Sequence, residues 1–153
     1  MHIGMALRGT FPHDVRVEKE ARSLAAAGHE VSLLCLSREN GEPVRERVGP
    51  VAVHRIPRRE RYGLARRTRK TARFLLTLED VIWRAEIDRF VDDVGVDVLH
   101  VHDLPLVRTA QSVADDRGLP LVADLHENYP EAARQWRTGM ALPRRLVQTL
   151  FTP

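Results

Sequence analysis

Apolar residues in this chain fall into short blocks of strand length, separated by stretches with helical spacing. His2 to Leu7 is the first block, and the breaker-rich Gly9-Thr10-Phe11-Pro12 follows it. Val17, Ala21, Leu24, Ala25 and Gly28 then recur at offsets of 4, 7, 8 and 11, the spacing of one buried helical stripe. Asp14 is placed to cap that helix, Glu18 and Glu20 lie near its positive end, and Gly28 supplies a stop. Val31 to Leu36 is apolar without alternation, as expected of a parallel strand covered on both faces. After the polar turn Arg38 to Pro43, Val51 to Ile56 predicts another strand. A long helix is predicted from about Ala65 to Val94, through Leu75, Leu78, Ile82, Ala85 and Phe90, with Gly95 closing it. Val98 to Val101 and Leu121 to Leu125 predict two more strands, with a helix over Leu106 to Arg117 between them. Glu131 to Trp136 and Pro143 to Phe151 predict two short helices. The alternation predicts an α/β fold: a three-layer sandwich around a mainly parallel sheet, built from right-handed strand-helix-strand crossovers.

Composition narrows the class. The 153 residues, 43% hydrophobic, suffice for one core and hardly for two. No apolar stretch approaches the roughly 20 residues that span a bilayer, and the N-terminus lacks the layout of a secretory signal. The single cysteine, Cys35, excludes an internal disulfide framework and a multi-cysteine zinc site. A cytoplasmic domain is the expectation. The sequence stops after a helix where a further strand-helix step is expected, so residues 1–153 read as one domain of something larger.

The charge is uneven. Lys and Arg total 24 against 21 Asp and Glu, for a net +3. Arg55, Arg58, Arg59, Arg61, Arg66, Arg67, Arg69, Lys70 and Arg73 face only Glu60, so that window carries +8 and the rest of the chain −5. A uniformly basic nucleic-acid coat is disfavoured, and only Tyr62 and Phe74 are at hand for stacking on bases.

Three predicted strand ends carry unusual residues: Arg8-Gly9-Thr10, His100-Val101-His102-Asp103, and Asp124-Leu125-His126-Glu127-Asn128. In an open parallel sheet these ends share one rim, where ligands gather. Gly9 reads either as a plain turn glycine or as one that lets the backbone approach a ligand beside a helix N-terminus. Neither the G-x-G-x-x-G nor the G-x-x-x-x-G-K-S/T pattern is present. His100 and His102, two apart on a strand, point to one face. His100 reads as a core histidine; His102, at the tip and next to Asp103, reads as the one that meets a ligand. A metal reading draws N and O donors from His100, His102, Asp103, His126 and Glu127, as in hydrolase zinc sites. Strand alternation weighs against their convergence, no H-E-x-x-H helix supports it, and no metal is expected. Asp124 and Glu127 read either as an acid/base pair or as a buried carboxylate and a helix cap. Cys35, Trp83 and Trp136 read as packing residues.

These residues resemble the N-terminal domain of family-4, GT-B-fold glycosyltransferases. The stretch from Asp14 to Ala21, through Leu24 to Gly28 and Val31, is similar to that family's opening helix and second strand. Asp97 to Asp103 is similar to its fourth strand with the histidine at its tip, and Leu121 to Glu127 to its D-x-H-E stretch. The resemblance implies a Rossmann-like half of a two-lobed, hexosyltransferase-type enzyme. Such enzymes move a sugar from a nucleotide-sugar co-substrate to an acceptor, commonly with retention and with no permanently bound cofactor. By position, His102 would contact the donor sugar and act in catalysis, and Gly9 and Thr10 would face the cleft near the phosphates. Asp103, His126 and Glu127 would line the substrate side. The donor-binding half has no counterpart here, so the isolated chain is expected to be inactive and to expose apolar surface that favours self-association.

Relatives with lipid-linked acceptors give the Arg55–Arg73 segment a second reading beside that of a solvated face. It could rest on an anionic membrane surface, peripheral on the inner face, with Leu64, Phe74, Leu75 and Leu76 inserting shallowly. Two other functions stay open: a metal-dependent hydrolase using the strand-end rim, and a non-catalytic, flavodoxin-like binding module.

Overall fold

The computed structural model describes residues 1–57 and 79–125. Its elements are β1 (His2–Leu7), α1 (Val15–Ala26), β2 (Glu30–Leu36), β3 (Arg45–Val48), β4 (Val51–Ile56), α2 (Val81–Val94), β5 (Val98–His102), α3 (Leu104–Arg117) and β6 (Leu121–Asp124). They form a six-stranded sheet in the order β3-β4-β2-β1-β5-β6. Every neighbouring pair is parallel except β3 and β4. The expected three-layer, Rossmann-like α/β architecture is what the chain adopts.

Each face of the sheet carries its own core. Met5, Leu7, Leu33 and Val53 pack with Val17 and Ala21 of α1 on one face. Ala6, Leu34, Leu99 and Val101 pack with Ile87 and Phe90 of α2 and Leu106 and Val113 of α3 on the other. Burying each of these larger side chains stabilises the fold by roughly 1.5–3 kcal/mol. The unbroken apolar run of β2 follows from this two-sided cover, since Val31 to Cys35 are all buried.

Two sequence expectations require correction. The predicted single helix over 65–94 is interrupted: residues 79–80 are not helical, and α2 begins afresh at Val81. The Asp80 carboxylate accepts hydrogen bonds from the backbone N–H groups of Ile82 (3.0 Å) and Trp83 (3.4 Å), which makes it an N-cap. Strand β3 was not anticipated at all. It pairs antiparallel with β4 through a turn at Gly49-Pro50, Gly49 taking a φ of 59°. The first part of the predicted long helix, residues 58–73 of the basic window and the two short helices after residue 130 lie outside the described residues.

Arg55, counted with the basic window, is not part of a surface. It is 5% exposed, and its guanidinium donates to the carbonyls of Phe11 (3.3 Å) and Pro43 (3.4 Å) and to the Glu46 carboxylate (2.5 Å). An arginine at the penultimate position of a buried strand is retained by these acceptors, and it is unavailable to a membrane. Among the described residues no helix is long and apolar enough to cross a membrane.

Candidate functional site

The strand order places the tips of β1, β5 and β6 side by side. From β1 the chain crosses through α1 to β2 on one flank, while β5 and β6 lie on the other. The gap beyond β1 and β5 is therefore where strand order reverses, the usual ligand crevice of an open α/β sheet.

An open cleft of about 400 Å³ lies along the loop that leaves β1, lined by Gly9, Thr10, His13, Asp14, Val15 and Arg16. Gly9 and Thr10 thus line free space just before the N-terminus of α1. The Gly9 carbonyl accepts the Leu36 N–H at 2.8 Å, which ties the loop to the end of β2. Asp14 caps α1, accepting from the N–H groups of Arg16 (3.1 Å) and Val17 (3.4 Å). Burial acts to raise its pKa, but the Arg16 side chain and these backbone donors outweigh it and hold the carboxyl below its ordinary value. His13 adds a ring nitrogen 3.2 Å from the Arg38 guanidinium. The cleft therefore offers a helix N-terminus and two arginines nearby, a setting that favours an anionic group.

His102 ends β5 with no exposed surface. Register pairs it with Leu7 on one side and Asp124 on the other, and its ring lies 4.6 Å from that of His100 between centroids. Both rings stand on the α1 face of the sheet, where Glu20 meets them. His100 Nε2 lies 3.5 Å from Glu20 Oε1, and His102 Nδ1 lies 3.8 Å from Glu20 Oε2 and 3.5 Å from Asp124 Oδ2. His100 is buried, as the sequence predicts for a core histidine, although its Nε2 makes no hydrogen bond.

Asp103 turns the chain from β5 into α3 at φ 72° and ψ 137°, and among the described residues it alone combines a side chain with a positive φ. Its carboxylate makes no cap bond to α3, and the residue is partly exposed on the rim. A strained backbone on a polar residue at a strand tip is a functional-site signature. His126 and Glu127 lie outside the described residues.

The structure thus joins His100, His102 and Asp124 as one cluster and sets Asp103 apart on the rim. Glu20 was missed as a member. Its signal was in the sequence: it lies three residues after Val17 and four before Leu24, inside the apolar stripe of α1, where a carboxylate needs a partner.

The sequence profile of a family described as a glycosyl transferase 4-like domain matches residues 13–151. Among curated proteins nothing matches. Among solved structures, sucrose-phosphate synthase from Thermosynechococcus elongatus is similar at a TM-score of 0.65 and 13% identity. The likeness covers 97% of this chain and 39% of that one, and at such identity it is a likeness of fold.

Proposed function

We propose a function from one premise: this chain belongs to the glycosyl transferase 4-like family and folds as the Rossmann-like, N-terminal half of a GT-B architecture. In this reading it is the acceptor-side lobe of a hexosyltransferase that takes its sugar from a nucleotide-sugar and delivers it, with retention, to a carbohydrate or lipid-linked acceptor. The 153 residues span 39% of the synthase chain, and by themselves they are expected not to transfer sugar.

The observation that carries the reading is the open cleft along the loop from β1 to α1, where Gly9 and Thr10 stand before the N-terminus of α1. The positive end of the α1 dipole and the nearby Arg38 suit the phosphates of the donor. Asp103, on the rim of the neighbouring strand, is the side chain we assign to a sugar hydroxyl. His102 was expected in that contact, but its ring is wholly buried, so we assign it to support from beneath the rim. His126 and Glu127 keep their place in the proposal as acceptor-side residues. Residues 58–73 remain the proposed contact to an anionic membrane surface, without Arg55.

The test is acceptor-dependent release of nucleoside diphosphate by the polypeptide of the whole reading frame, given UDP-, GDP- and ADP-sugars in turn. Release from one donor that falls at least about tenfold in Asp103→Ala supports the reading. A folded enzyme that releases nucleotide from no donor overturns it.

A further inference from the structure

We propose that Glu20, His100, His102 and Asp124 hold a divalent transition-metal ion of the zinc type, which fastens α1 to the tips of β5 and β6. One donor atom from each residue lies within 4.8 Å of the others. The closest approaches, 3.5, 3.8 and 3.5 Å, exceed the roughly 2.7–3.2 Å of a good hydrogen bond. They are near the separation of about 3.3–3.4 Å between two donors that each stand about 2.0–2.1 Å from a tetrahedral ion. Glu20 reaches His100 through Oε1 and His102 through Oε2, so its carboxylate spans the two rings.

A second observation concerns His100. Its side chain is 8% exposed, and the buried Nε2, which faces Glu20, makes no hydrogen bond. An unsatisfied buried nitrogen is destabilising, and a metal ion is one partner that removes the penalty. Charge agrees: two carboxylates offset a dication, and two neutral imidazoles complete the set. The donor chemistry selects the metal, since imidazole pairs favour zinc-like ions over calcium or magnesium. Four protein donors close the coordination shell, so the ion is structural, with no position open to activate water. Glu20 and Asp124 are about one-third exposed (34% and 29% for their side chains) and provide the route of entry.

The arrangement follows from the fold. Residues 100 and 102 share a face by strand alternation, the β5–β6 register sets Asp124 beside His102, and α1 crosses that face with Glu20 turned inward. The three elements are far apart in sequence, so no such site exists in the unfolded chain, and binding stabilises the fold.

The probe is Zn²⁺ added to the chelator-treated chain and followed by calorimetry, with Co²⁺ absorption to report the geometry. One equivalent should bind and raise the unfolding temperature, and Co²⁺ should give the intense visible bands of a tetrahedral site. Glu20→Gln and His100→Gln should each weaken binding by roughly 10- to 100-fold or more, while His13→Gln and His54→Gln bind like wild type. If His100→Gln does not fold, Glu20→Gln decides, because its side chain is partly exposed on a helix. Failure of the folded wild-type chain to take up one equivalent overturns the proposal. So does unchanged affinity in Glu20→Gln. Neither result depends on whether the enzyme transfers sugar.

Discussion

A Cβ on Gly4 would stand 2.7 Å from Cγ1 of Val96 and 3.1 Å from Cε1 of Phe90. Gly4 is therefore the point in β1 where the end of α2 and the segment into β5 press directly on the sheet. Both neighbours are buried, so neither can swing clear. Gly4→Ala should destabilise the chain by about 1–3 kcal/mol, read as a lower urea midpoint with an unchanged slope. A variant as stable as wild type would mean that α2 can lift away from β1 freely.

What the sequence made legible follows from burial. The run Val31 to Leu36 could be read as a covered strand because both faces of β2 are apolar, and His100 and His102 could be set on one face because alternation requires it. Strand β3 could not be found this way. Its residues Arg45-Glu46-Arg47-Val48 alternate between exposed and half-buried at the sheet edge, so no hydrophobic period marks them. Arg55 misled for the opposite reason: a charge in a basic run looks solvated, and its acceptors at Phe11, Pro43 and Glu46 come from segments that only the fold brings near. The partnership of Glu20 with the histidines likewise depends on how α1 crosses the sheet.

Arg55 should then behave as a core residue. Arg55→Met would leave the Phe11 and Pro43 carbonyls without this donor and Glu42 and Glu46 without this cation. Both carboxylates are partly exposed and can be rehydrated in part, so the expected loss is about 1–3 kcal/mol. Cys35 supplies the readout. Burial pushes its thiol up to about 11, with Arg55 pulling the other way, so alkylation near neutral pH must proceed through opening of the fold. Alkylation of Cys35 should accelerate in Arg55→Met in step with the loss of stability. An unchanged rate and midpoint would show that the buried guanidinium contributes nothing.

Asp103 holds a conformation that glycine adopts more easily. Its position is fixed at both ends, since its N–H donates to the Asp124 carbonyl (3.0 Å) and its carbonyl accepts from Leu106 N–H (3.2 Å). Asp103→Gly should stabilise the chain by about 1 kcal/mol, a rise of roughly 2–4 °C in Tm, whereas Asp103→Ala should not. Under the proposed function both variants of the whole polypeptide should lose sugar transfer, so the gain in stability and the loss of function come apart. Equal thermal stability of the glycine and alanine variants would argue against stored strain at this turn.

His54 gives the fold a definable acid sensitivity. Its ring meets Phe90 edge-on, with centroids 5.2 Å apart at 78°. Burial, reinforced by Arg45 and His2 and opposed by Asp93, holds its pKa below the ordinary 6.5. The unfolded chain thus takes up a proton on this ring at a higher pH than the folded chain does. The contribution is complete above pH 6.5 and is lost as pH falls from there through the folded value. His54→Gln removes the titration along with the ring contact. Its urea midpoint should lie below wild type near neutral pH, and the gap should narrow as the buffer is taken from about pH 8 to about pH 5. The difference between the two proteins isolates His54, because every other residue is common to both. A gap of constant width across that range would mean that the ring is as easily protonated in the folded chain as in the unfolded one.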